Sequence, residues 1–151
     1  MTLYLLLLLI HLLAVVVWVG GMAFMLFCLR PAAIAVLSPP QRIPLLHAAL
    51  WRFFKFVVMA IALLLATGVT MILIVGTKNM PVAWMWMVGL GAVMMSIFFH
   101  LRAAPFSRLG KCVETQDWPV AAKHLEQIRL SVMLNLAIGL AIIAIMKLGR
   151  I

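Results

Sequence analysis

Four long runs of apolar residues constrain this chain more than any other feature. A spanning helix needs about 20 predominantly apolar residues. Runs of that length occupy residues 3–29, 53–77, 81–104 and 128–148. Backbone amides and carbonyls that face hydrocarbon have no water to bond, so each run must satisfy its own backbone as a helix. The expectation is an all-α fold: an integral membrane four-helix bundle forming a single transmembrane domain over residues 1–151. Composition agrees, with 68% of residues hydrophobic and 10% charged, against roughly 25% charged in soluble domains. The first run is read as a retained helix rather than a secretion signal. It lacks a basic leading segment, is too long, and has no small-residue cleavage site before Arg30.

Charge orients the bundle. Arg30, Arg42, Arg52 and Lys55 lie in or beside the first loop, and Arg102, Arg108, Lys111, Lys123 and Arg129 in or beside the third. Only Lys78 lies in the second loop, and Lys147 and Arg150 lie at the C-terminal end. Nine basic residues against three place both termini outside and the two basic loops in the cytoplasm of a bacterial-type inner membrane. The net charge of +9 then reads as a topology signal and as contact with lipid headgroups. Nucleic-acid binding would need a polar domain to display that charge, and none is present. The two cysteines, Cys28 and Cys112, fall at cytoplasmic ends, so no disulfide framework is expected.

Local signals mark the connections. Ser38-Pro39-Pro40 suits a turn followed by the first helical turn. Helix two then starts near 40–44 and projects into the cytoplasm before entering the membrane around residues 51–54. Residues 76–81 form a short outer loop, followed by the interfacial Trp84 and Trp86. Helix three is expected to break near Pro105. Asp117 reads as an N-cap, with Pro119 just inside a helix that can run from 118 to 148. Helices two and four are thus expected to extend into the cytoplasm, with one and three shorter. Gly20, Gly21, Ala62, Ala66, Ala137, Gly139 and Ala141 allow close helix approach and would permit a homodimer.

Polar side chains inside these runs are the functional candidates. His11 interrupts the first run about 10 Å from Tyr4 along the helix, on a face that continues through Val15, Trp18, Met22 and Met25. An imidazole there must find a partner. It either bonds another helix or serves as a ligand to haem iron, a copper ligand or a proton site. His100 ends helix three, while His47 and His124 lie on the cytoplasmic extensions. Helices one and three both run inward, with His11 about 10 Å along its helix and His100 about 27 Å along its own. An offset near 15 Å is too large for one iron between them. Two polar levels are expected: His11 outside, and His47, His100 and His124 inside. Thr67, Thr70 and Ser96 are hydroxyls of the kind that bond their own helix, and Asn135 is read as bridging helices or supporting a buried site. Met22, Met25 and Cys28 share a stripe with His11. Soft sulfur suits Cu(I), although methionine is also a common core filler. No acid lies within the membrane runs and no nucleophile–base pair is visible, so hydrolytic chemistry is not indicated.

The segment His11-Leu-Leu-Ala-Val-Val-Val-Trp-Val-Gly-Gly21 resembles the first-helix signature of the CopD/HemJ-like membrane proteins. Leu37-Ser38-Pro39, Arg52-Phe53-Phe54, Ala66-Thr67-Gly68 and Phe99-His100 extend the resemblance over most of the chain. The resemblance implies a four-helix core. It places His11 where HemJ-like members carry a histidine implicated in binding haem b for protoporphyrinogen oxidation, and His100 where a histidine ends helix three. CopD-like members are associated with copper handling. One departure is clear: HemJ-like proteins carry a lysine early in helix three, and Trp84-Met85-Trp86-Met87-Val88-Gly89 has none. The resulting expectation is a small b-type haem protein of the lipid bilayer, working in electron transfer or redox exchange with quinone or a partner protein. His11 and His100 would be metal ligands, with His47 and His124 as further cofactor-binding residues. Any enzymatic role would be that of a haem-dependent oxidoreductase. Two alternatives stand beside it: copper handling through His11, Met22 and Met25, and a structural subunit of a larger membrane complex.

Overall fold

Each apolar run becomes part of a longer helix. A computed structural model describes residues 2–148 as four helices: α1 (Thr2–Val36), α2 (Pro39–Val75), α3 (Val82–Glu114) and α4 (Trp118–Leu148). Among the described residues there is no strand. All four helices are long and apolar enough to cross a membrane, and the chain is an all-helical multi-pass membrane protein. Arg150, counted above among the outer basic residues, lies outside the described residues.

The helix ends follow local chemistry. Ser38 stands in extended backbone before α2, and its backbone N–H and its hydroxyl both donate to Gln41 Oε1, at 3.4 and 3.0 Å. Pro39 and Pro40 then fill the first turn, where an amide proton would lack an intrahelical partner anyway. Gly76 ends α2 at φ 82°, a left-handed conformation that costs glycine little. A single turn of 3₁₀ helix, Thr77–Asn79, leads into α3. Asp117 accepts the Val120 amide at 3.3 Å, capping the start of α4 as its position suggested.

The prolines depart from the sequence expectation. Pro105 does not end the third helix. It sits inside a π segment, Arg102–Phe106, and the helix continues to Glu114. In α1, π segments cover Val16–Gly20 and Met25–Leu29, and the helix passes Pro31 to reach Val36. A π turn shifts hydrogen bonding to the residue five back and widens the coil. It therefore absorbs the missing amide and the ring that would clash in a regular α turn. In consequence all four helices, at 31–37 residues and 1.5 Å per residue, outrun a hydrocarbon core about 30 Å thick.

Helix α1 lies along α2, and α3 along α4, with α2 and α4 in contact across the bundle. Trp18, Met22, Phe54, Phe98 and Val132 meet in the core where all four helices converge. Gly21 lets the Phe53 ring lie directly on α1, and Gly139 leaves room for Val19 and Met94. Outward faces are apolar instead: Leu5, Val16, Phe27 and Leu73 are all exposed, as lipid contact requires.

Candidate functional site

His11 is half-buried between α1 and α2, with its Nδ1 2.8 Å from Thr67 Oγ1. The Thr67 hydroxyl carries one proton and lies 2.6 Å from the Leu63 carbonyl oxygen, which can only accept. That proton therefore goes to Leu63, and Oγ1 accepts from His11 Nδ1–H. A neutral ring held this way carries its lone pair on Nε2. Among the described residues Nε2 makes no hydrogen bond. Gly68 completes the seat, since a Cβ there would stand 3.5 Å from His11 Cε1. Thr67 thus does two things. It bonds its own helix, as hydroxyls on membrane helices do, and it selects the tautomer of a histidine 56 residues away. Its second role carried no sequence signal beyond the spacing of Ala66-Thr67-Gly68.

The other histidines occupy separate places. His47 stacks on Phe106, centroids 4.9 Å apart, with its Nε2 3.4 Å from where a Cβ of Gly110 would stand. His124 Nδ1 lies 3.2 Å from Gln127 Oε1 on its own helix. His100 is exposed on α3. Thr67, opposite His11, is twenty residues along α2 from His47, about 30 Å. Phe98, two residues before His100, packs on Phe54, thirteen residues before Thr67, so His100 lies about 20 Å along the bundle from His11. Among the described residues, no three His, Cys, Asp or Glu side chains gather to hold a metal ion.

The methionine stripe is spread out rather than convergent. Met22 is buried in the core, eleven residues or about 16 Å along α1 from His11. Beside it a cavity of about 10 Å³ is lined by Trp18, Phe98, Ser131 and Asn135. Asn135 bridges helices, as its buried position suggested: its Nδ2 donates to the Met94 carbonyl at 3.2 Å. Its Oδ1 is buried with no protein partner. A second cavity, about 40 Å³, lies between Met25 of α1, Leu46 of α2 and Arg129 of α4.

Charge is organised at the basic end of the bundle. Glu126 of α4 accepts from Arg30 of α1 at 3.0 Å and from Arg129 on its own helix. The Arg129 hydrogen bond, above all, holds the Glu126 carboxyl below its ordinary range against the opposing effect of burial, and the charges of Arg129 and Arg30 add to it. His47 lies outside the apolar span of α2. Burial holds its ring below the ordinary histidine value, and the Glu114 charge pulls it part of the way back.

A family model described as copper resistance protein D matches residues 47–148. That is 102 of the 151 residues, covering α2 from His47 onward, α3 and α4. The match excludes α1, and with it His11. Neither curated proteins nor solved structures give a match.

Proposed function

This chain belongs to the copper resistance protein D family, and from that premise we propose that it handles copper in the membrane, with His11 as the metal-facing donor. One observation carries the reading: Thr67 Oγ1 accepts the hydrogen bond of Nδ1–H, which leaves Nε2 as a free nitrogen donor. A histidine whose second ring nitrogen is fixed by a hydrogen bond is the usual arrangement of a metal-ligating imidazole. Copper here is cargo. Met22 and Met25 lie too far along α1 to share a coordination sphere with His11. They serve instead as soft sulfur donors of successive stations on a path through the bundle. In this reading the basic end faces the cytoplasm of an inner membrane and both termini face outward.

A second reading has its own observation. His11 is a lone imidazole, and haem iron needs only one or two protein donors because the porphyrin supplies four. The free Nε2 of His11 would fit a b-type haem as a donor nitrogen. The two cavities beside Met22 and Met25, about 10 and 40 Å³, are too small to hold a macrocycle. His11 would hold the haem and Thr67 would orient the imidazole. His100, about 20 Å away along the bundle, would not hold the same group as His11 within one chain. When bound, such a group supplies one-electron chemistry, which would serve exchange with quinone or a protein partner.

The two readings separate on protein purified in detergent from a haem-competent host. Copper handling predicts a colourless protein that binds Cu(I) in a competition titration. Affinity falls by more than tenfold in His11→Ala and by about tenfold in Thr67→Val, the usual cost of losing a supporting hydrogen bond. A Soret band that disappears in His11→Ala selects the haem reading instead. A protein that takes up neither Cu(I) nor haem sinks both, and points to a structural subunit of a larger complex.

A further inference from the structure

Basic residues at the membrane boundary are not equivalent in this fold. Arg30 and Arg129 are both held by Glu126. Lys55 and Arg102 are differently placed. Lys55 Nζ lies 5.0 Å from the centroid of the Trp51 ring, and Arg102 Cζ lies 5.8 Å from the same centroid. The two come from different helices, α2 and α3, and stand no farther apart than about one Debye length at moderate salt. Among the described residues neither forms an ion pair. Two cations drawn to one indole repel each other, and the ring's quadrupole offsets only part of that cost. The indole itself is fixed, stacked on Phe106 at 6.3 Å with the planes 5° apart, and remains 44% exposed.

We propose that Trp51, Lys55 and Arg102 form a binding site for the phosphate of an anionic phospholipid. Depth argues for this occupant. Trp51 and Lys55 sit where the apolar span of α2 begins, and Arg102 sits where that of α3 ends, which is headgroup level. Charge argues for it too. A zwitterionic headgroup would bring its own cation into a site already holding two, whereas an anionic one brings only the charge that is missing. A lipid is favoured over a free anion by what lies one turn toward the membrane centre. Met59, on the Lys55 face of α2, is exposed, and so is Phe99, on the Arg102 face of α3. They offer an apolar track for the acyl chains.

The test is native mass spectrometry of the detergent-released protein, titrated separately with phosphatidylglycerol and with phosphatidylcholine of the same chain length. The expected result is preferential retention of phosphatidylglycerol. Retention falls about fivefold in Lys55→Gln and in Arg102→Gln, as expected for losing one cation at a lipid surface. Arg108→Gln makes the same change in net charge at an exposed position farther along α3 and should leave retention within twofold of the parent. Lys55→Arg keeps the charge and should keep the lipid, so a loss there as large as in Lys55→Gln counts against the site. Equal retention of the two lipids by the parent protein overturns the proposal. So does an Arg108→Gln loss as large as that of Arg102→Gln, which would reduce the effect to net charge. Displacement of phosphatidylglycerol by millimolar inorganic phosphate would show that a free anion is the ligand, and would equally overturn it.

Discussion

At the scale of single residues, the histidines show how one side-chain type takes different roles from its neighbours. His11 has a hydroxyl that sets its tautomer. His47 has an aromatic ring beneath it and a glycine beside it. That the first-run histidine would need a partner was legible in the sequence, because an imidazole among leucines has nothing local to bond. Which partner it finds was not legible, since Thr67 looks like any hydroxyl that bonds its own helix. His47 carries a pH consequence. Burial puts its folded-state pKa below the ordinary histidine value of 6.5, so the neutral ring's contribution is fully present above that value and is lost as pH falls through it. Glu126 is depressed relative to an ordinary carboxyl, and its contribution is lost only at more acidic pH. The melting temperature in detergent should therefore be lower at pH 5.5 than at pH 8. In His47→Phe the difference should shrink, because phenylalanine keeps the stack on Phe106 without titrating. An unchanged difference in that variant would remove His47 from the account.

At the scale of elements, the spans and the start of α4 were readable, and where α1 and α3 stop was not. A run such as 53–77 declares a helix by its length and apolarity, Asp117 declares a start by its side-chain oxygen, and Pro39 and Pro40 suit a first helical turn. Pro105 reads as a stop in any local analysis, because proline inside a regular α-helix removes a hydrogen bond and clashes with the preceding turn. The π segment that carries it depends on Phe106 packing against His47 and Phe54 of α2 while α3 stays in contact with α4. That packing is invisible from local sequence. The α1–α2 pair depends on an equally specific contact. A Cβ at Gly21 would overlap the Phe53 ring. Gly21→Ala should destabilise the detergent-solubilised protein by about 1–3 kcal/mol, the usual range for overpacking. Adding Phe53→Leu should recover most of that loss. Thermal melts of the single and double variants measure it, and a silent Gly21→Ala would mean the two helices slide apart freely.

At the scale of the whole molecule, the distribution of basic residues sets an expected orientation with the Thr77–Asn79 turn outside. Lys78→Cys in a chain whose Cys28 and Cys112 are replaced by serine should react with a membrane-impermeant maleimide in intact cells. Labelling only after permeabilisation would reverse the orientation. The sequence by itself determined that this is a four-helix membrane protein, because hydrocarbon admits so few backbone solutions that length and apolarity suffice. It also marked His11 as anomalous and separated it from His100, since rise per residue is a property of any helix. Tertiary structure alone decided that Thr67 holds His11 in one tautomer, that Glu126 of α4 reaches Arg30 of α1, and that Lys55 and Arg102 from two helices share one indole with no ion-pair partner among the described residues. The first two contacts join residues 56 and 96 positions apart. Their physical cause is the rotation and register of each helix against its neighbours. Sequence spacing records what lies along one helix, and only packing between helices determines what lies across.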